Sequence, residues 1–246
     1  MEYLIKVTLI GLISGIAGTS IGGLMAFFVK KVDKRFISST LEFSAGLMTS
    51  VVCFKLIPEA FNYGGVKLTL LGVFLGVFVI LIVEEFVGRA EFIRVKGKNS
   101  GLLRAGIVMA VGIALHNFPE GFAVGSGFEA SLRLGVMITA VIVIHDIPEG
   151  IAMAVPMKAG GFSSKKAFFF TVLSGVPMGL GALFGAIIGG ISENFIGACL
   201  GFAAGAMLYV VYGELMVESK KLYLGRLPSI SNVLGIVCGI IVTTIN

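Results

Sequence analysis

The chain has 246 residues, of which 57% are hydrophobic and only 13% are charged, and its mean hydropathy is +1.02. A soluble protein of this length needs roughly a quarter of its residues charged to cover its surface. A soluble enzyme and a nucleic-acid-binding protein are therefore both excluded, and an integral membrane protein is predicted. The three cysteines lie singly in apolar stretches without a C-x-x-C pair, which argues against disulfides and against a thiolate zinc site.

Apolar segments long enough to cross a bilayer recur eight times. A helix rises 1.5 Å per residue, so about 20 apolar residues cross the roughly 30 Å hydrocarbon core. Four segments reach this length without a charge, and four more reach it while carrying acids, a lysine or a histidine. In chain order the predicted helices cover residues 7–29, 36–62, 66–87, 103–127, 133–157, 167–192, 194–213 and 227–246. The predicted fold class is an all-α membrane protein, a bundle of eight transmembrane helices.

Basic residues give the orientation of this bundle. Fifteen of the 19 Lys and Arg residues fall in four loops that alternate with the other connections. These loops cover residues 30–35, 88–104, 158–166 and 218–226. Because cytoplasmic loops carry an excess of Lys and Arg, these loops are predicted inside and both termini outside, in a multi-pass protein of the plasma membrane. Residues 1–246 form one predicted transmembrane domain, with a short cytoplasmic linker at about 88–102.

Two near-identical hexapeptides, each in the middle of a predicted helix, contain both histidines of the chain. They read His116-Asn117-Phe118-Pro119-Glu120-Gly121 and His145-Asp146-Ile147-Pro148-Glu149-Gly150. In each motif the His, the Asn or Asp, and the Glu share one helix face because of their i, i+3 and i, i+4 spacing. The prolines predict that both helices are broken, at the core of the bundle. A short connection at 127–132 predicts antiparallel neighbours whose motifs face each other near the bilayer midplane.

Three carboxylates, those of Glu120, Asp146 and Glu149, then lie near mid-bilayer. An ionised carboxylate costs about 2.5–3.5 kcal/mol there on insertion scales, and neither hexapeptide contains Lys or Arg. Imidazole nitrogen and carboxylate oxygen suit zinc, iron or manganese, so a divalent cation is the simplest counter-ion. Three other interpretations stay open: hydrogen bonding between helices, a proton relay in a proton-coupled carrier, and a membrane metalloenzyme.

The hexapeptides and the eight-helix pattern resemble the ZIP (ZRT/IRT-like) family of divalent metal transporters over the whole chain. The resemblance implies transport of Zn²⁺, or of iron, manganese or cadmium, into the cytoplasm, and no enzymatic activity. It implies a first metal site of His116, Glu120, His145 and Glu149. It also implies a second site, formed by Asn117 and Asp146 with the two glutamates as bridging ligands. A homodimer is a further expectation from the family.

One position departs from the family pattern. Many members carry a glutamate on the sixth helix in a stretch like S-G-x-x-E-P, whereas this chain has Ser174-Gly175-Val176-Pro177-Met178-Gly179. With three carboxylates and neutral histidines, two divalent ions would leave a positive charge in surroundings of low dielectric, whereas one ion leaves a negative charge. We therefore expect one strong site and one weaker site. Met178 is either a packing residue or a soft thioether ligand.

Other charged residues within the predicted helices indicate a route across the membrane. Lys55 and Glu59 lie towards the outer end of the second helix and form either an ion pair or an outer gate. Glu42 and Glu214 lie near inner helix ends and are candidates for passing a cation to the cytoplasm. The sequence has no nucleotide-binding P-loop, so ATP is not expected to drive transport directly. The expected partners are divalent metal ions and the lipid bilayer, with no nucleic acid and no nucleotide.

Overall fold

A computed structural model of the protein describes residues 1–28, 33–88 and 100–244. Every regular element in these ranges is a helix, which confirms the all-α prediction. The elements are α1 (Glu2–Gly23), α2 (Met25–Phe28), α3 (Lys34–Val51), α4 (Ile57–Gly88), α5 (Ser100–Ala130), α6 (Leu132–Ala159), α7 (Ser164–Ser174), α8 (Pro177–Gly189), α9 (Glu193–Tyr209), α10 (Met216–Leu222) and α11 (Arg226–Thr244). Two π-helical segments, Val52–Leu56 and Val210–Leu215, join α3 to α4 and α9 to α10.

Seven helical segments of the described ranges are long and apolar enough to cross a membrane, so a multi-pass membrane protein is confirmed. Six have 19 to 30 residues, but Lys34–Val83 has 50. This segment would be about 75 Å long if straight, more than twice the hydrocarbon thickness. Gly65 interrupts it with φ +62° and ψ 176°, a backbone conformation that is strongly unfavourable for every residue other than glycine. The linker predicted at about 88–102 lies largely outside the described residues.

Prolines act differently in the helices that carry them. The helices α5 and α6 continue through Pro119 and Pro148, so the predicted breaks at these positions are not confirmed. A membrane helix tolerates a proline when its neighbours satisfy the freed backbone groups. In contrast, the single helix predicted over 167–192 is divided into α7 and α8 just before Pro177. The Met178 N–H there donates to Gly175 O at 3.3 Å, which leaves the Ser174 carbonyl available to another donor.

The helices α5 and α6 are separated only by Ser131, whose hydroxyl oxygen caps α6 by accepting a hydrogen bond from the Leu134 N–H at 3.1 Å. Helix α1 packs on α6 and α8, while α3 packs on α6 and α11. Glycines allow this close approach, as is usual between membrane helices. A Cβ atom at Gly18 would overlap Asp146, and one at Gly22 would overlap the Ile147 carbonyl. The middle of α6 is therefore enclosed by several neighbouring helices.

Gly22→Ala should lower the thermal midpoint of the detergent-solubilised protein by several degrees, because the added methyl group must push α1 away from α6. Overpacking costs about 1–3 kcal/mol, and each kcal/mol shifts the midpoint of a chain of this size by about 2–4 °C. Gly213→Ala is the control, since its methyl group would meet only the side chain of Tyr209, at 3.2 Å or more. Equal midpoints for the two variants would contradict the close packing of α1 on α6.

Candidate metal centre

The two hexapeptides face each other across the interface of α5 and α6. His145 Nε2 lies 2.9 Å from Glu120 Oε1, and His116 Nε2 lies 3.4 Å from Glu149 Oε2. Each imidazole thus meets a carboxylate of the opposite helix. All four side chains are at most 1% exposed. The predicted facing of the two motifs is found, and it places nitrogen and oxygen ligands together in a buried environment.

The tightest group of ligand atoms consists of Glu120, His145 and Asp146, whose ligand atoms lie within 4.8 Å of one another. His145 Nε2 is 3.4 Å from Asp146 Oδ1, while Nδ1 lies 3.2 Å from Val141 O. Because a carbonyl oxygen can only accept, the proton belongs on Nδ1 in the neutral ring. The Nε2 lone pair then points at two carboxylates, an arrangement that is repulsive unless a cation or a proton lies between them.

His116 belongs to a second group, which extends towards α10. Its Nδ1 lies 3.9 Å from Glu214 Oε2, so the predicted inner-end acid is brought close to the motif. Glu214 lies in the π-helical segment Val210–Leu215, and such segments change the direction of side chains and occur often at functional sites. A cavity of about 300 Å³ is lined by His116 and Glu214, and also by Glu218 and Lys221. This cavity connects the buried motif with the charged end of α10.

Buried polar atoms without a hydrogen-bond partner are concentrated at this place. Among the described residues nine buried side-chain nitrogen and oxygen atoms lack such a partner, and seven of them belong to the hexapeptides. These seven atoms are His116 Nδ1 and Nε2, Asn117 Oδ1, Glu120 Oε2, Asp146 Oδ1 and Oδ2, and Glu149 Oε2. Unpaired buried polar atoms are unfavourable and rare in proteins. Their convergence on one cluster is what a binding site for a cation requires.

Asn117 is oriented by the division between α7 and α8. Its Nδ2 donates a hydrogen bond to the Ser174 carbonyl at 2.7 Å, and this is the carbonyl that the turn before Pro177 leaves without its helical donor. A carbonyl oxygen can only accept, and of the two side-chain amide atoms of Asn117 only the nitrogen can donate, so the contact also decides which amide atom is the oxygen. The buried Asn117 Oδ1 remains available as a ligand.

Ser44 of α3 is a residue of the site that sequence reasoning missed. Its hydroxyl group lies 3.1 Å from His145 O and 3.4 Å from Glu149 Oε1. It can therefore donate to either oxygen and orient the carboxylate of Glu149. The sequence gives little signal for this role, because Ser44 is one of several serines and threonines along the same helix.

Met178 is fully buried, and its sulfur lies 3.7 Å from Ser14 Oγ of α1. Helix α5 passes so close that a Cβ atom at Gly121 would overlap the Met178 carbonyl. Met178 is expected from the sequence to be either a packing residue or a thioether ligand, and these contacts favour the packing role. Met178 thus fills the space between α1, α5 and α8.

Glu42 and Glu59, the two other acids of the predicted route across the membrane, have partners outside the hexapeptides. Glu42 is 4% exposed and accepts a hydrogen bond from Asn232 Nδ2 at 2.9 Å, which ties α3 to α11. Glu59 Oε1 lies 3.0 Å from Lys55 Nζ, and about a quarter of each side chain is exposed. The ion pair expected for Lys55 and Glu59 is therefore present, while a role of either acid in transport stays a prediction.

A multi-pass helical fold with a buried group of histidine and carboxylate side chains that could hold a metal ion is typical of membrane proteins that move metal ions. A family model described as ZIP Zinc transporter matches residues 93–246. The chain belongs to the ZIP family of metal transporters. This membership confirms the resemblance, the transport of divalent metal ions and the prediction that the protein is not an enzyme, so the metalloenzyme interpretation is set aside.

Three relatives illustrate the similarity over nearly the full length. The zinc transporter ZupT of Clostridium perfringens is 33% identical, with 90% of this chain and 89% of the relative covered. ZupT of Chlorobium phaeovibrioides is 37% identical and covers 90% of each chain. ZupT of Corynebacterium glutamicum is 36% identical, with 83% of this chain and 85% of the relative covered.

Ser44→Ala should weaken zinc binding roughly tenfold, because groups that orient metal ligands typically contribute 10- to 100-fold in affinity. Equilibrium dialysis with zinc measures the effect. Ser50→Ala is the matched control on the same helix, since the Ser50 hydroxyl donates to Leu47 O within its own helix. The orienting role of Ser44 would be refuted if both variants bound zinc as the unchanged protein does.

Proposed function

We propose that this protein carries zinc across the plasma membrane into the cytoplasm through a site made of His116, Asn117, Glu120, His145, Asp146 and Glu149. The observation that supports it most strongly is the set of seven buried polar atoms without a hydrogen-bond partner in the two hexapeptides. Zinc is the preferred cargo because the similar proteins are named zinc transporters. Iron, manganese and cadmium are competing cargo, since the same ligand types bind all of them.

We place the stronger ion between Glu120, His145 and Asp146, whose ligand atoms are closest together. This assignment differs from the first site implied by the resemblance, which contained His116 and Glu149 in place of Asp146. His116, Glu149 and Asn117 would then hold the weaker ion. Each imidazole faces its own carboxylate of the opposite helix, at 2.9 Å for His145 and Glu120 and at 3.4 Å for His116 and Glu149, and this pairing supports two neighbouring positions rather than one.

The route to the cytoplasm would run from this cluster past His116 to Glu214, which is 3.9 Å away. The cavity lined by Glu214, Glu218 and Lys221 supports an inner exit on this side. Glu59 would act at the outer end and Glu42 near the inner end, as accessory residues. The gradient of the ion, the membrane potential or a coupled proton would supply the driving force, with about 2.3 kcal/mol per elementary charge per 100 mV from the potential.

The proposed topology has eight crossings in one domain over residues 1–246, with both termini outside. The 50-residue segment Lys34–Val83 would supply two of these crossings. Two features support this: its length exceeds one crossing, and Gly65 has a non-helical backbone near its middle. The distribution of Lys and Arg supports the orientation. A homodimer is proposed from family resemblance alone.

Zinc flux into liposomes, followed with a trapped indicator, tests the function. His145→Ala and Glu120→Gln should each reduce saturable uptake at least tenfold, because each removes a ligand or a charge from the tightest group. Glu2→Gln is the matched control for the glutamate, since Glu2 forms an exposed ion pair with Lys6. Competition by iron, manganese and cadmium would rank the cargo. Zinc binding without flux, or flux unchanged in both site variants, would overturn the proposal.

Met178→Glu should raise the amount of zinc bound from about one to about two ions per chain, because a fourth carboxylate balances the charge of a second ion. The stoichiometry is measured by titration of the purified protein. Met178→Gln is the control, since it keeps the side-chain length without adding charge. An unchanged stoichiometry in a folded Met178→Glu protein would contradict the charge argument.

A further inference from the structure

A second cavity, of about 710 Å³, lies between α4, α5, α7 and α9. We call it the α4–α5 groove, and it is lined by Val79, Val83, Leu115, Phe118, Phe170 and Phe202 among others. It exists because α4 packs chiefly on α9, while α5 packs chiefly on α8 and α6. The two helices therefore leave a space between them in the inner half of the proposed bilayer.

The lining of the α4–α5 groove is suited to hydrocarbon and not to water. Of the described residues around it, only Ser174 has a polar side chain, and its hydroxyl group already donates to Thr171 O at 2.7 Å. A buried water molecule needs two to four polar partners, whereas an apolar cavity of about 150 Å³ already takes up apolar guests. The groove is several times larger, and in a membrane the apolar molecules at hand are lipid chains.

Basic residues stand at one end of this apolar space. Phe170, which lines the groove, stacks on Phe162 with 5.7 Å between ring centres. The ammonium group of Lys166 lies 4.2 Å from the centre of the Phe162 ring. Lys158 directly follows Met157, another residue of the lining. Lys158 and Lys166 are thus neighbours of residues at this end of the groove, and we call these two lysines the basic rim. The positive-inside orientation proposed above puts the basic rim at the cytoplasmic surface.

We propose that the α4–α5 groove binds one acyl chain of an anionic phospholipid of the cytoplasmic leaflet, with the phosphate at the rim formed by Lys158 and Lys166. Basic pockets between membrane helices on the cytoplasmic side are suited to anionic headgroups. Ser174 lies eight residues beyond Lys166, or about 12 Å deeper along a helix. An acyl chain of that reach would touch Leu115 and Pro119, which flank His116 and Glu120 on α5. The assignment to a leaflet rests on the proposed topology.

The absence of tryptophan from the sequence allows a direct test. Phe170→Trp would place the sole tryptophan in the groove. Phe169→Trp would place it on the neighbouring residue, which is 59% exposed and does not line the groove. In phosphatidylcholine vesicles with a minor fraction of phosphatidylglycerol brominated on its acyl chains, fluorescence quenching should be several-fold stronger at position 170 than at 169. Equal quenching at both positions, or an equal excess with brominated phosphatidylcholine, would overturn the proposal.

The rim is tested in the Phe170→Trp background. The double variant Lys158→Ala with Lys166→Ala should remove the excess of quenching by brominated phosphatidylglycerol. The reason is that each lysine is expected to contribute roughly fivefold to the affinity for the anionic lipid. Lys34→Ala with Lys220→Ala is the matched control, because both lysines are exposed at helix ends away from the groove lining. If the excess quenching were lost in both double variants, or in neither of them, a headgroup site at Lys158 and Lys166 would be contradicted.

A second measurement covers the case in which the tryptophan variants fail to fold. Ala114→Phe narrows the groove and should reduce the phosphatidylglycerol retained through purification, measured by mass spectrometry. Val136→Phe adds the same ring at a position that is 53% exposed and should not change it. Equal retention would overturn the proposal. Neither readout needs metal transport, so Glu120→Gln should keep the lipid signal even if zinc flux is lost or never observed.

Discussion

Three carboxylates buried among membrane helices are the constraint on which the rest of this structure depends. Glu120, Asp146 and Glu149 are fully buried, and the ion-pair partners that the structure gives them are histidines. A neutral imidazole does not balance such charge, so the cluster favours a divalent cation as its counter-ion.

Glycine is what allows neighbouring helices to enclose these carboxylates. At Gly18 the backbone of α1 comes so close to α6 that any side chain would overlap Asp146. On the other side, Gly121 and Gly181 bring α5 and α8 into similar contact. Between lipid-facing helices such small residues replace the hydrophobic effect as the source of tight packing. The same packing leaves two openings, one beside Glu214 and one between α4 and α5, and both adjoin the motif on α5.

The sequence predicts the helical class and the facing motifs because hydropathy and the i, i+4 spacing are local signals. It does not predict contacts that depend on the arrangement of distant helices. Ser44 reaches His145 and Glu149 from another helix, and a π-helical segment aims Glu214 at His116. The effect of a proline is also ambiguous from sequence alone, since helix α5 continues through Pro119 whereas α7 ends just before Pro177.

X-ray absorption at the zinc edge of the loaded, purified protein tests the central claim most directly, because it reports which atoms bind the metal. A site of histidine and carboxylate ligands predicts a first shell of nitrogen and oxygen alone, at about 2.0–2.2 Å. Glu120→Gln should alter that shell. A sulfur scatterer, found near 2.3 Å for zinc thiolates, would contradict the account, since it would move the metal from the facing hexapeptides to a cysteine or to Met178.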